Sequence, residues 1–423
     1  MGGDTIFALA TARGKAGVAV LRLSGPDAAA MAEALCGPLP PPRRAGLRDL
    51  RHDGELIDRP LVLRFEAGAS FTGEAVVELH LHGAPVIADR VMDLLEGQGA
   101  RPAGPGEFTR RAFANGTLDL LEVEGLGDLL DAETEAQRRQ AMRLAGGDAE
   151  TVLSRWKDAL TEALAWCEAS LEFDDGDIPE DVRPKVREIV DPVLAELAVE
   201  RRGIGAAERI RDGFTVALIG APNVGKSTLI NKIAGREIAL VSPEAGTTRD
   251  RLEVPLDLRG LAVRLVDTAG IREADGVERL GIDRALEVAT EADLRVYLGP
   301  PPPDAPEPRS GDILVAAKAD LSTVPDGVSG LTGEGVDRLL DRIAGTLSRR
   351  AASSGTFARR RHADLLAAFS EAMASVIAAL EADALEIAAE GLWSALHVLD
   401  RLLGRTDVED VLDRLFASFC IGK

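Results

Sequence analysis

The sequence predicts a multidomain α/β plus α protein, with an N-terminal α/β domain, an all-helical central domain, and a P-loop α/β domain inserted into the helical one. Three observations predict it: strand-like runs near the N-terminus, two separated blocks with apolar residues at helical spacing, and alternating strands and helices between those blocks. At 423 residues the chain is too long for one compact domain. We expect domains at 1–117, 118–212, 213–348 and 349–423, with the two helical segments packed together.

The N-terminal domain is predicted from two strand-like runs. VAVLRLSG (18–25) and AVVELHLHG (75–83) alternate or run apolar as strands do, and PLPPPRR (38–44) is typical of a loop. In the helical part an acidic segment, FDDGDIPEDV (173–182), interrupts the periodicity. It lacks the ligand spacing and central glycine of an EF-hand, so we interpret it as a solvated linker.

Charge and cysteine content narrow the functional class. The net charge of −21 argues against a protein that coats nucleic acid nonspecifically, although it leaves room for a local basic patch. Cys36, Cys167 and Cys420 are too far apart for a CxxC pair, and the first two lie among apolar neighbours, which predicts buried thiols. We find no signal-peptide pattern and no long apolar run, and we expect a cytoplasmic protein without a membrane span.

Residues 220–227, GAPNVGKS, match the pattern G-x-x-x-x-G-K-[ST]. They lie between a predicted strand, FTVALIG, and a predicted helix, KSTLINKIAG, which is the context that the motif requires. Its glycines let backbone N–H groups wrap phosphates at a helix N-terminus. Lys226 supplies a point charge to the β- and γ-phosphates, and Ser227 supplies a hydroxyl to Mg²⁺. The segment therefore predicts a nucleoside triphosphate site.

Further segments occur in the order expected of a GTPase. Asp267 opens DTAG at the end of the next apolar strand, where a carboxylate holds Mg²⁺ through water and Gly270 senses the γ-phosphate. The segment GTTRD (246–250) lies between the two motifs as a switch, and we choose Thr248 as the second Mg²⁺ hydroxyl. These features favour hydrolysis of the bound nucleotide.

Guanine selection is predicted from the segment AKAD, which follows a strand. Asp320 would accept hydrogen bonds from guanine N1 and N2, with Lys318 beside it, and Ser329 would support the base from the next loop. The usual signature is N-K-x-D, and here Ala317 replaces its asparagine. Because the carboxylate is kept and only a structural amide is lost, we expect weaker affinity rather than lost specificity.

Two other departures concern catalysis. Ile271 follows DTAG, where many GTPases place a glutamine that positions water, so another group must orient the water. The proline-rich run 300–308, PPPPDAPEP, stands where a helix is usual, and we interpret it as an extended surface loop. We expect the phosphate motifs to lie at the other strand ends, so that this run leaves the catalytic side intact.

The combined motifs resemble the MnmE (TrmE) family of tRNA-modification GTPases over nearly the whole chain. The most specific stretches are DTIFALAT with GVAVLRLSGP, PGEFTRRAFANGTLDL (105–120), the nucleotide motifs and the terminal Cys420-Ile-Gly-Lys423. The resemblance implies a homodimer formed through N-terminal domains that bind a tetrahydrofolate derivative, 5-formyl- or methylene-tetrahydrofolate. It also implies a heterotetramer with an MnmG-like FAD protein, which adds an aminomethyl or carboxymethylaminomethyl group at C5 of wobble uridine 34 in tRNA.

The resemblance also implies residue roles. Glu278 orients the attacking water, and K⁺ near the β/γ bridge, enclosed by the loop 242–248, supplies positive charge that stimulates GTP hydrolysis. Arg22, Glu78, Thr117 and Lys423 match folate positions, with Thr117 where the family often has lysine, and Cys420 matches the family cysteine assigned a catalytic role. The K⁺ set is Asn223, Ser242, Glu244 and Thr247. The GTP/GDP set is Asn223, Val224, Gly225, Lys226, Ser227, Thr228, Ser242, Gly246, Thr247, Thr248, Asp267, Thr268, Ala269, Gly270, Lys318, Asp320 and Ser329.

Two alternatives stay open at this point. A ribosome-assembly GTPase would share the nucleotide motifs, but it would add a KH-type appendage or a second P-loop, and the sequence contains neither pattern. A folate-dependent aminomethyl transferase with a decayed nucleotide domain would be favoured if Ala317 abolished GTP binding.

Overall fold

The computed structural model describes residues 3–172, 181–236, 238–239, 253–268, 286–321, 326–406, 409–417, 419 and 422. The chain divides into two compact units, Met1–Gly127 with Asp400–Lys423, and Asp128–Leu399. The C-terminal segment therefore groups with the N-terminal unit rather than with the remaining helices. The described helices are α1 (Ala28–Cys36), α2 (Pro85–Gly97), α3 (Glu107–Ala114), α4 (Leu120–Leu130), α5 (Glu135–Ala145), α6 (Asp148–Glu172), α7 (Arg183–Asp212), α8 (Lys226–Ala234), α9 (Val336–Ala351), α10 (Arg360–Glu381), α11 (Leu385–Leu402) and α12 (Glu409–Ala417).

The first unit is built on a six-stranded sheet of order β3-β6-β7-β2-β1-β8, with β4 and β5 forming a separate hairpin. Both predicted strands are present, and β2 pairs with β7 in antiparallel register that sets Arg22 opposite Glu78. The leucines of one sheet face pack under α1 and α2. The strands are β1 (Ile6–Leu9), β2 (Val18–Ser24), β3 (Gly46–Leu47), β4 (Leu50–His52), β5 (Glu55–Asp58), β6 (Leu61–Phe65), β7 (Val76–His82) and β8 (Arg101–Pro102).

The C-terminal segment packs onto α3 and α4 within the same unit. Leu120 and Val123 share an apolar cluster with Phe416 and Phe419. The guanidinium of Arg110 lies 5.3 Å from the centre of the Phe416 ring, a cation–π contact. This docking accompanies the contact between Gly422 and Arg22 of the N-terminal sheet.

Helices α5, α6, α7 and α10 pack together in the second unit. The rings of Trp156 and Phe369 stack with centroids 5.5 Å apart, and both side chains are fully buried. Helix α10 is long and apolar enough, with a mean hydropathy of 1.6, to cross a membrane by length and composition. Its buried face against α7 is that of a core helix in a helical bundle.

The backbone before the predicted nucleotide domain contacts the backbone after it, at Gly203 and Gly355. A Cβ added to Gly203 in α7 would lie 2.3 Å from the backbone N of Gly355. Gly355 N donates to Gly203 O at 3.1 Å, and Gln140 Nε2 donates to Gly355 O at 3.1 Å. Glycine is required at 203 because any side chain there would collide with backbone.

The sheet of the second unit has the order β10-β11-β9-β12-β13. Among the described strands of this sheet only β10 is antiparallel to its neighbour, so the sheet is largely parallel, as the alternation of strands and helices predicts. Asp267 pairs with Leu218 and Leu298 pairs with Gly220, which places the carboxyl ends of three strands at one edge. The strands are β9 (Phe214–Gly220), β10 (Glu253–Leu258), β11 (Leu261–Asp267), β12 (Leu294–Leu298) and β13 (Ile313–Val315).

The proline-rich run contains no helix or strand and is largely exposed, as expected. Its expected position, however, is wrong. The run begins after Leu298, whose partner Gly220 opens the P-loop, so it starts at the same strand ends as the phosphate motif. The reason is strand direction: β9 and β12 are parallel, so the loops that follow them leave from the same edge.

Candidate nucleotide site

The P-loop joins β9 to α8 through two left-handed backbone positions. Asn223 has φ of 61° and Gly225 has φ of 108°, conformations that asparagine and glycine tolerate best. A Cβ on Gly220 would lie 2.7 Å from Leu298 O, so glycine is needed there for close packing of β9 on β12. These residues turn the chain so that α8 begins at Lys226, and its N-terminus follows the loop directly.

The phosphate-side polar residues lie together. Lys226 is 5% exposed, and its Nζ donates to Gly220 O at 2.8 Å and Ala221 O at 3.0 Å. Ser227 Oγ donates to Asp267 Oδ2 at 2.6 Å. A hydroxyl and a carboxylate are the hard oxygen ligands that Mg²⁺ prefers, so this pair fits a magnesium ion. The arrangement concentrates positive charge and metal ligands at the helix N-terminus.

A cavity of about 510 Å³ lies over this loop. Asn223, Ser227 and Thr268 line it with Lys226, and Thr268 is itself fixed because its Oγ1 donates to Leu218 O at 2.8 Å. Pro302 and Ala305 of the proline-rich run form a further part of the lining. The volume and the polar lining suit a polyphosphate.

A second cavity of about 350 Å³ adjoins the first. Lys318, Asp320 and Ser329 line it, together with the apolar side chains of Val224, Leu298 and Val328. The two cavities share Gly225 and Thr228. An apolar slot ending in a carboxylate suits a base with neighbouring N–H donors.

Ser329 holds the loop at the edge of this cavity. Its side chain is 1% exposed, and its Oγ accepts from Leu331 N and Thr332 N at 3.2 Å each. The hydroxyl therefore stabilises the turn that borders the base-side cavity.

Backbone hydrogen bonds join the two loops next to Ala317. Val328 N donates to Ala316 O at 2.8 Å, and Ala319 N donates to Val328 O at 3.2 Å. These bonds form an isolated parallel β-bridge between Ala317 and Val328, shortly before Asp320. The backbone that precedes Asp320 is thus held in place without an asparagine at position 317.

Gly330 is a site residue that the sequence reasoning missed. A Cβ there would lie 2.5 Å from Leu229 N and 2.8 Å from Thr228 C, so the base-side loop rests directly on the first turn of α8. Its φ is outside the left-handed region, so close approach alone requires glycine. The available signal was the Ser-Gly pair after a predicted strand, which also occurs in ordinary turns.

Several predicted residues fall outside the described ranges. They are Ser242, Glu244, Gly246, Thr247, Thr248, Ala269, Gly270, Glu278, Cys420 and Lys423. Their assigned roles stay predictions.

A separate polar cluster lies on the N-terminal sheet. Arg22 Nε donates to Glu78 Oε1 at 3.0 Å, and His80 Nε2 lies 3.3 Å from Glu78 Oε2. Arg22 Nη1 donates to Gly422 O at 3.4 Å, so Gly422 contacts this cluster. His80 was also missed, although its spacing of two from Glu78 puts both on one face.

Thr117 has a local structural role. Its Oγ1 lies 2.9 Å from Phe71 O and 2.8 Å from Ala112 O. The hydroxyl therefore ties the end of α3 to the loop before β7.

Cys36 and Cys167 are buried free thiols, as expected. Burial raises the pKa of Cys36 to about 12 and that of Cys167 to about 11. Thiols with so little thiolate at neutral pH are unreactive, so their contribution is to packing.

The parallel sheet, P-loop and adjoining cavities define a P-loop nucleotide-binding protein of the GTPase type. Known proteins narrow this further. Residues 120–420 match the family model described as the MnmE helical domain, and residues 5–117 match that of the GTP-binding protein TrmE N-terminus. The chain therefore belongs to the MnmE (TrmE) family.

Curated relatives of this family match the chain over nearly its full length. The tRNA modification GTPase MnmE of Roseobacter denitrificans is 48% identical, that of one Cereibacter sphaeroides strain 52%, and that of Paracoccus denitrificans 49%. Each comparison covers 99% of this chain and 100% of the relative. Among solved structures, the G domain of the T. maritima FeoB iron transporter covers 31% of this chain at 24% identity, with a TM-score of 0.23.

Proposed function

We propose that this chain hydrolyses GTP as part of tRNA modification. The observation that carries the proposal is the Ser227–Asp267 pair at the base of a P-loop cavity that continues into the slot bounded by Asp320. Lys226 and the amides of α8 hold the phosphates, and Asp320 selects guanine through N1 and N2. Bound Mg²⁺ neutralises charge on the β- and γ-phosphates. Full-length relatives named as tRNA modification GTPases support the same activity.

K⁺ stimulates the hydrolysis in this proposal. Asn223 supports it, because its left-handed backbone sets it in the lining of the phosphate cavity. An amide oxygen is a suitable ligand for a monovalent cation, whose charge would stabilise the transition state at the β/γ bridge. Ser242, Glu244 and Thr247 complete the proposed K⁺ set, and Thr248 adds the second Mg²⁺ hydroxyl.

Glu278 orients the attacking water. The side chain after DTAG is Ile271, which has no group to hold water, so a carboxylate from farther along the chain takes that role. The pairing of two nucleotide domains across a homodimer would close the loop 242–248 over the ion.

The N-terminal unit binds 5-formyl- or methylene-tetrahydrofolate. The Arg22–Glu78 pair supports this site, since an arginine pairs with a carboxylate tail and a carboxylate accepts from a pterin ring. The contact between Arg22 and Gly422 supports a role for the adjacent Lys423 and Cys420. The one-carbon unit goes to C5 of wobble uridine 34, with an MnmG-like FAD protein in a heterotetramer.

A cytoplasmic location and an inserted nucleotide domain complete the proposal. The contact between Gly203 and Gly355 supports the insertion, because it brings together the backbone on either side of that domain. The domain limits 1–117, 118–212, 213–348 and 349–423 belong to the same proposal.

GTP turnover in KCl against NaCl tests the enzymatic part, with Glu278→Ala as the variant. We expect faster turnover in K⁺ and a loss of at least about tenfold in the variant. Equal rates in the two salts would contradict the K⁺ assignment, and full turnover by Glu278→Ala would remove the catalytic one. Mass spectrometry of tRNA nucleosides from cells lacking the protein tests the modification: unchanged wobble uridines would contradict it.

A further inference from the structure

The connection between β12 and β13 is unusual for two parallel strands. Parallel neighbours are ordinarily joined through a crossover helix, but residues 299–312 contain no helix or strand. Six of these 14 residues are proline. Since proline fixes φ, the segment has few alternative conformations and loses little entropy when it is held in one.

This segment borders the phosphate cavity and not the base. Pro302 and Ala305 line the larger cavity together with Ser227 and Thr268. Neither Pro302 nor Ala305 is among the described residues that line the base-side cavity. The segment therefore lies at the end of the site that is proposed to hold Mg²⁺ and the terminal phosphate.

The hydroxyl of the buried Tyr297 anchors residues 299–312. The ring is fully buried, and Oη donates to Pro306 O at 2.7 Å. The same ring packs with Ile219 of β9 and with Ala305. One side chain thus links the P-loop strand to the residue that faces the cavity.

The guanidinium of Arg295 makes a second anchor. It is 2% exposed, and Nη1 donates to Glu307 O at 3.1 Å. Nε donates to Ala289 O at 2.6 Å and Nη2 to Thr290 O at 3.1 Å. Arg295 therefore joins residues 299–312 to residues 289–290. In the sequence these two residues come after Glu278, which is proposed to orient the water.

We propose that residues 299–312 form a rigid wall of the phosphate cavity, and that Tyr297 and Arg295 are positioning residues that set this wall against the terminal phosphate. The inference rests on the nucleotide site proposed above. The wall fixes the width of the cavity at the reacting end and keeps bulk solvent from the terminal phosphate while leaving room for the attacking water. Loosening it lowers turnover and leaves GDP affinity unchanged.

The main test is Tyr297→Phe, which removes one hydroxyl and keeps the ring. We expect kcat for GTP to fall about fivefold, the effect of one ordinary hydrogen bond, with GDP Kd within about twofold of the parent. The control is Ile343→Val in the core on the opposite sheet face, since it lowers stability without touching the wall. The kcat of Ile343→Val should equal that of the parent even when its Tm falls as far as that of Tyr297→Phe.

Three outcomes are decisive. An unchanged kcat in Tyr297→Phe overturns the positioning role, and so does an equal loss in Ile343→Val. A parent protein that neither binds GDP nor hydrolyses GTP removes the proposed function itself, and the wall with it. Arg295→Met is a second variant, expected to lower kcat further if it folds, as judged by circular dichroism.

Tyr297 is the only tyrosine in the chain, so 3-fluorotyrosine labelling gives a single ¹⁹F signal. We expect it to shift when Mg²⁺ and a non-hydrolysable GTP analogue bind, and to shift less with Mg²⁺ and GDP. A signal that responds equally to both nucleotides, or to neither, contradicts the placement of the wall at the terminal phosphate.

Discussion

Ser227 Oγ donates a 2.6 Å hydrogen bond to Asp267 Oδ2, which joins the start of α8 to the end of β11. The two residues are 40 positions apart in sequence, and the parallel pairing of β9 with β11 brings them together. The sheet therefore preorganises the two proposed Mg²⁺ ligands, so we expect little reordering when the ion binds.

Ser227→Ala should lower kcat/KM for GTP at least about tenfold and raise the Mg²⁺ concentration needed for half-maximal rate, because a charge-assisted contact is lost. Ser227→Thr keeps a hydroxyl at the same position and is the matched control. A Mg²⁺ titration of the hydrolysis rate measures both. An alanine variant with the parent Mg²⁺ dependence would exclude Ser227 from the metal site.

Gly330→Ala should weaken GDP binding about tenfold, because the new Cβ pushes the base-side loop away from Leu229. The control is Gly205→Ala in α7, where an added Cβ meets nothing within 4 Å. Titration with a fluorescent GDP analogue gives both constants. If the two variants bind equally well, the close approach at Gly330 has no part in holding the base.

Arg22→Met should weaken binding of 5-formyl-tetrahydrofolate at least about tenfold, the effect of losing a hydrogen bond between charged groups. Arg44→Met, in the exposed loop before β3, is the control. Isothermal titration calorimetry on the full chain measures both affinities. Undiminished binding by Arg22→Met would move the folate site away from the Arg22–Glu78 pair.

Cys36 and Cys167 should resist a thiol reagent at pH 8 in the folded protein and react fully in guanidinium chloride. The pKa of Cys36, about 12, lies above its ordinary value of 9.0, which leaves about one molecule in ten thousand as thiolate at that pH. The resulting stabilisation is present below about pH 9 and is lost as the pH rises toward 12. Mass spectrometry after timed labelling checks this, and rapid labelling of either residue would contradict its burial.

Local patterns were sufficient to predict β2, β7, β9 and α8, because each contains its own periodicity and turn residues. The P-loop was predicted for the same reason, since its glycines and Lys226 are contiguous. Gly330 and the position of residues 299–312 depend on which strands are neighbours and which way they run. That information comes from pairing between distant segments, so no short window of sequence contains it.

The touching backbones of Gly203 and Gly355 have a practical consequence for dissection of the chain. With a 3.1 Å hydrogen bond between them, residues 204–354 can be excised and the gap closed by a one- or two-residue splice. The shortened chain should keep the Trp156–Phe369 stack, and the excised fragment should be a candidate for independent expression. The proposed GTP hydrolysis and the proposed tRNA chemistry would then be assayed on two separate polypeptides.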